Sequence, residues 1–389
     1  MTLEEKVNQL VQRVGGSIPT GTAKSGGGWE GPAARSELGS LFGLTDPELV
    51  NAIQKAAVEK SRLNIPILFG LDVIHGFRTG FPVPLGLSAT WDPALVEKAS
   101  RVSAQEASAA GVRWTFSPMV DIARDARWGR IVEGAGEDPY LGSVMARAYV
   151  RGYQGTSLEA PDSLAACAKH YVAYGAAEAG RDYNTVDISE RTLRQVYLPP
   201  FHAAVEAGAA TLMSGFNPLN GVPASANAYT IKQILKEEWA FQGFVVSDYT
   251  AVAELIPHGI ALDSETAARK AFTAGVDMDM VDQLYTNLVK LVRSGEVPES
   301  AINDAVRRIL RVKFALGLFD HPYAREGSAA AEIPATSREL ARRAAEESLV
   351  LLKNDTAPNR APALPIASNI RSLALIGPLG DDSADMLGP

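Results

Sequence analysis

Ionisable side chains collect at the ends of apolar runs in this sequence. "GFVVSDY" closes on Asp248, "IPILFGLDVIHG" on Asp72 and His75, "LAACAKHY" on Lys169 and His170, and "FSPMVDIARD" on Asp121 and Arg124. A carboxylate at a strand end, kept ionised by nearby cations and hydrogen bonds, has the makings of a nucleophile. A second ionised Asp can grip hydroxyl groups through charge-assisted hydrogen bonds. Each residue also has a plainer reading. Asp248 precedes "YTAVAEL" and fits a helix N-cap equally well. Asp72 fits an Asx-turn into "VIHG". Arg130, last of "RWGR", is by residue type a salt-bridged surface group. Lys169 is more telling, because a Lys after "LAACA" needs a partner for its charge.

Residues so far apart need a scaffold that brings them together. Strand-like segments occur at 39–44, 65–73, 113–122, 164–174, 210–217, 243–249 and 274–281, with helical stretches such as 93–111, 189–208 and 230–241 between them. Strand and helix in alternation imply a parallel sheet with helices outside it. Seven or eight such units favour a closed (β/α)8 barrel of the TIM type, and no G-x-G-x-x-G turn supports a dinucleotide fold. In such a barrel the C-terminal strand ends share one face. The first residues, "MTLEEKVNQLVQRV", read as an amphipathic helix and not a signal peptide. Further helices are expected over 299–319 and 338–355. "RSLALIGPLGDD", residues 371–382, reads as the first strand and turn of another unit. The expected division is a barrel over 1–320, a linker and helix over 321–370, and the start of an incomplete α/β sandwich domain over 371–389.

The chain has 389 residues, 46% hydrophobic and 21% charged, with 37 basic against 45 acidic side chains for a net charge of −8. No basic cluster stands out, which argues against nucleic acid or an anionic membrane as partner. No apolar run reaches the roughly 18 residues of a membrane span. Cys167 is the single cysteine, so an intrachain disulfide and a cysteine-rich metal site are excluded. Asp277 and Asp279 in "VDMDM" alternate on a strand and read as hydrogen-bonding residues; no metal and no cofactor is expected.

"GLDVIHG", "FPVPLGLSATWD", "DIARDARWGRIVEGAGEDPYLG", "KHYVAYGAAEAGRDYNTVDISERTLRQVYLPPF", "FNPLNGVPASAN" and "FVVSDY" follow one another in an order that resembles glycoside hydrolase family 3, in its bacterial periplasmic β-glucosidase branch. The likeness runs along the whole chain. It implies a retaining, exo-acting β-glucosidase with Asp248 as nucleophile, acting on β-linked gluco-oligosaccharides or aryl glucosides, with xylose left open as the sugar. Asp72, Arg130, Lys169 and His170 match the sugar-gripping residues, and Met213, Phe216 and Tyr249 match the wall of the first subsite. Many relatives carry Tyr at the position of Phe216 and Trp at that of Tyr249, so the wall differs here.

The resemblance also implies an acid/base Glu from a second domain, supplied by a further segment or a second chain. The Asp–His loop of the N-acetylglucosaminidase branch is not matched. Glu133, Glu137 and Glu178 lie in suitable loops without any mark of that role. The other class of reading is a non-catalytic sugar-binding barrel. His75 and Arg124 are expected to support their loops, and Trp91, Trp114 and Trp128 to pack. The resemblance implies a periplasmic or secreted location, with a cytoplasmic one left open.

Overall fold

The computed structural model describes residues 1–16, 28–325, 332–356 and 362–382. Eight short strands run parallel: β1 (Val11–Val14), β2 (Ser40–Phe42), β3 (Leu68–Leu71), β4 (Trp114–Thr115), β5 (Cys167–Tyr171), β6 (Thr211–Ser214), β9 (Phe244–Ser247) and β10 (Asp279–Met280). Between β6 and β9 an antiparallel pair, β7 (Pro218–Leu219) and β8 (Val222–Pro223), forms a separate hairpin. The parallel strands form a five-stranded sheet, β10-β1-β2-β3-β4, and a three-stranded sheet, β5-β6-β9. Parallel bridges at Trp114–Ala165 and Met119–Lys169 join one pair of sheet edges, and Val246–Met278 joins the other. The result is a curled parallel sheet with helices on its outer side.

The strands are buried almost throughout, as a sheet covered on both faces requires. Trp114, Phe116, Phe42 and Phe244 meet edge to face inside, with ring centroids 4.8–5.1 Å apart. Three of the surrounding helices begin with the same device. Asp46, Asp92 and Asp138 accept hydrogen bonds from the first-turn backbone of helices Pro47–Lys55, Pro93–Ala109 and Pro139–Gln154. In each case the next residue is Pro, which lacks the N–H that a first-turn position would leave unbonded anyway.

β1 departs from the sequence-based expectation. Leu3, Val7, Leu10, Val11 and Val14 fit one helical stripe, yet the helix spans only Leu3–Gln9 and β1 follows at once. The helix start is firm: Thr2 and Glu5 form a reciprocal capping box. Its end is set by the sheet, because Val11–Val14 fills the place between β10 and β2 and bonds to both. The helix expected over 338–355 spans Ala335–Glu347, and Leu349–Leu352 lie exposed beyond it. The described part of 371–389, residues 371–382, is exposed and carries no strand, since a ladder needs a neighbour to bond. Residues 383–389 lie outside the described residues.

Opposite the strands' C-terminal ends, Lys313 is fully buried. Its ammonium donates to Gln9 Oε1, Gly39 O and Pro66 O, each at 2.8 Å, tying helix Glu299–Ala315 to the entries of three strands. Burial pushes its pKa down to about 7, while three acceptors matched to three N–H donors favour the charged form. Lys313→Met takes the ammonium donor from Gln9 Oε1 and Pro66 O, while Gly39 O keeps the Leu68 N–H at 3.2 Å, and is expected to destabilise the fold by about 2–4 kcal/mol. Urea unfolding measures this, and an unchanged midpoint would show the three bonds to be dispensable.

Candidate active site

Asp72 directly follows β3, Lys169 and His170 lie in β5, and Asp248 directly follows β9. Strict alternation along β5 would send Lys169 and His170 to opposite faces. The ladder between β5 and β6 shifts register between Ala168 and Tyr171, and both side chains reach the same charged cluster. The Lys169 ammonium donates to Asp72 Oδ1 at 2.7 Å. His170 Nε2 stands 3.4 Å from Asp248 Oδ2. The expected gathering of Asp72, Lys169, His170 and Asp248 is therefore present in the fold.

Arg130 arrives from the loop after β4, on the short 3-10 turn Gly129–Glu133. Its guanidinium donates to Glu133 Oε1 and Oε2 at 2.7 and 3.1 Å, a two-pronged pairing. Its Nη2 also donates to His170 Nε2 at 3.0 Å. The Arg130 Cζ lies 5.6 Å from the Tyr174 ring centroid, within cation–π reach. Asp121, buried on the same loop, accepts from the backbone N–H of His170 at 2.9 Å, and the same oxygen lies 2.8 Å from His170 Nδ1. Glu133 and Tyr174 were not legible as members of the site, and Asp121 only as a polar strand-end residue.

Burial and charge set the protonation of this cluster. Burial raises Asp248 from 3.8 to about 6, against the pull of Arg130, Lys169 and the Tyr249 N–H that bonds its Oδ1. Burial lifts Asp121 to about 7, opposed by the His170 N–H and Arg130. Burial, Arg130 and Lys169 all push His170 well below the usual imidazole range. Burial works against Lys169 too, but Asp72 and Glu133 leave it raised. The cluster thus offers a neutral imidazole, two fixed cations and a carboxylate that is mostly ionised at neutral pH. Asp248 Oδ2 is buried with no hydrogen-bond partner among the described residues.

The apolar wall divides. Phe216 joins a small cluster with Met119, Ala123, Trp128, Tyr174 and Ala251, against which Tyr249 packs. The half-exposed Tyr183 lies over Phe216 with centroids 4.5 Å apart, an aromatic neighbour that the sequence did not mark. Met213 sits in β6 within the main hydrophobic core.

Three supporting expectations resolve differently. His75 Nδ1 bonds Phe81 O at 3.0 Å and so braces its own loop, whereas Arg124 is exposed. Trp114 and Trp128 are buried, but Trp91 is 78% exposed and packs little. Asp277 does hydrogen-bond within the fold, accepting from Lys236 at 2.8 Å and from the Val245 N–H at 2.9 Å. Of the three glutamates singled out, Glu133 is paired with Arg130, and Glu137 and Glu178 are exposed. Glu254 was overlooked: burial, Asp248 and Asp282 raise its carboxyl to about 7.

Residues 2–312 match the family model described as "Glycosyl hydrolase family 3 N terminal domain". Among curated proteins, the chain is 40% identical to the periplasmic beta-glucosidase of Salmonella typhimurium over 100% of this chain and 50% of that one. It is 38% identical to a beta-xylosidase of Formosa agariphila, over 86% of this chain and 49% of that protein. Among solved structures, the beta-glucosidase from Listeria innocua in complex with glucose aligns with a TM-score of 0.86 and 40% identity, covering 94% of this chain and 52% of the other. The chain spans about half the length of these relatives.

The upward shift of Asp248 has a consequence for stability. Its folded pKa lies above the ordinary 3.8, so the folded state holds the proton longer and loses stability as pH rises from 3.8 through about 6. Asp248→Asn removes that cost. It is expected to raise stability at pH 7 by about 1–3 kcal/mol, with the gain shrinking towards pH 4. Urea midpoints at both pH values check this; a pH-independent gain would assign the effect to packing instead.

Proposed function

The chain belongs to glycosyl hydrolase family 3, and on that premise we propose that it carries the nucleophile-bearing part of a retaining, exo-acting β-glucosidase. The observation that carries this reading is Asp248. Its Oδ2 is buried and unbonded among the described residues, beside the cations Arg130 and Lys169. We read the curled sheet with its three bridges as one closed (β/α)8 barrel over 1–320. A linker and helix would follow over 321–370, and a second α/β domain would begin at 371–389.

In the proposed reaction a terminal β-D-glucosyl residue binds with its hydroxyls on Asp72, Lys169 and Arg130. Phe216 and Tyr249 wall the ring, with Met213 behind them. The Asp248 carboxylate attacks the anomeric carbon as the bond to the leaving oxygen breaks, giving a covalent glycosyl ester. The leaving oxygen takes a proton from an acid, which then deprotonates the water that cleaves the ester, with retention overall. We assign that acid/base to a Glu of the second domain. In support, Glu133 is committed to Arg130, and Glu137 and Glu178 are turned to solvent.

β-Linked gluco-oligosaccharides and aryl glucosides are the proposed substrates. The relatives include both glucosidases and a xylosidase, so selection at the sugar C5 substituent is the first specificity to measure. A periplasmic or secreted location is proposed on the strength of the periplasmic relative. Among the described residues no helix is long and apolar enough to cross a membrane.

An activated 2-deoxy-2-fluoro-β-glucoside, whose leaving group needs no proton, should add one glycosyl unit to Asp248. Intact-mass and peptide mass spectrometry read the adduct. Its absence, or its persistence in Asp248→Asn, would falsify the assignment. Labelling should slow about tenfold per pH unit below about 6, as the carboxylate takes its proton.

A further inference from the structure

We propose that Asp121 is a positioning residue that fixes His170 in its Nδ1-protonated tautomer, holding the Nε2 lone pair on Arg130 and keeping any donor off Asp248. The inference rests on the glycosidase reading only for its catalytic consequence; the tautomer stands on geometry alone.

Two contacts together favour the same proton placement, and neither suffices without the other. On one side, a single oxygen of the buried Asp121, Oδ2, receives the His170 backbone N–H at 2.9 Å and lies 2.8 Å from His170 Nδ1. Oδ2 already serves as acceptor to the backbone N–H, and with Asp121 ionised it can only accept from the ring as well, which puts a proton on Nδ1. On the other side, Arg130 Nη2 lies 3.0 Å from Nε2. A guanidinium has donors and no acceptor, so Nε2 must present its lone pair. A neutral imidazole has one ring proton, and both contacts put it on Nδ1. Burial with Arg130 and Lys169 alongside disfavours the doubly protonated ring.

The consequence falls on Asp248. With no proton on Nε2, its approach to Asp248 Oδ2 at 3.4 Å is not a hydrogen bond. Oδ2 keeps its lone pairs for the anomeric carbon, while Oδ1 takes the Tyr249 N–H at 2.6 Å. The other tautomer would turn an Nε2–H towards Asp248 and drive Arg130 off the ring. Asp121 touches neither sugar nor nucleophile in this account; it acts through His170.

Long-range ¹⁵N–¹H NMR of the imidazoles in the full chain tests the assignment, with only five histidines to resolve. His170 should show the Nδ1–H pattern. In Asp121→Asn, whose amide can donate to Nδ1, and in Asp121→Ala, which removes the acceptor, that pattern should give way to Nε2–H or a mixture. Labelling of Asp248 by the activated fluoroglucoside should fall about 10- to 100-fold, in the covalent step and not in reversible binding. An Nε2–H tautomer in the unaltered protein overturns the proposal without any variant having to fold. So does an unchanged Nδ1 proton with unchanged labelling in both variants. If the tautomer responds as stated but Asp248 never forms an adduct, the positioning role is supported and the glycosyl-transfer reading alone fails.

Discussion

Burying several charges at one end of a sheet is costly unless each meets a partner, and this constraint organises the mouth of the molecule. Lys169 is matched by Asp72, Arg130 by Glu133, and His170, kept neutral by burial beside Arg130 and Lys169, sits between Asp121 and Arg130. Each pairing orients one group so that the next can be satisfied. Asp248 is the member left incompletely matched: it stands close enough to the cations to ionise, yet burial lifts its pKa to about 6. A carboxylate in that state is poorly solvated by the protein and correspondingly reactive, which is what an attacking group needs.

The fold supplies this arrangement through strands that are short and stiffly buried. Asp72 and Asp248 stand immediately beyond strand ends, so their backbone positions are fixed by the core beneath them. Lys169 and His170 depend on the irregular register of β5, without which only one of them would face the cluster. Arg130, Glu133 and Asp121 come from a loop instead, and that loop is pinned from within by Trp128, which donates to Asp182 at 2.8 Å and packs on Tyr174. Rigid strands place Asp72, Lys169, His170 and Asp248, and a braced loop brings Arg130, Glu133 and Asp121.

Legibility followed the range of the interactions involved. Parallel strands separated by helices were readable because buried strands leave continuous apolar runs and the helices announce their starts with Asp-Pro. β1 was not readable, since Val11 and Val14 satisfy a helical stripe and only the gap between β10 and β2 makes them a strand. Trp91 was misjudged because residue type favours burial while its loop faces water. Glu133, Tyr174, Tyr183 and Glu254 carried no local mark, because their importance lies in neighbours that are distant along the chain.

The sequence by itself determined that Asp72 and Asp248 end strands and, through its motifs, the family and the candidate members Asp72, Arg130, Lys169, His170 and Asp248, whereas Asp121, read as a strand end, lies on the loop after Trp114–Thr115. Local composition suffices for that, because strand ends and motif spacing are short-range properties. Only the tertiary structure decided which charges pair, that Asp248 Oδ2 is left without a donor among the described residues, and that Asp121 and Arg130 dictate where His170 carries its proton. Those outcomes depend on desolvation and on distances of about 3 Å between residues dozens of positions apart, and a linear pattern holds no record of either.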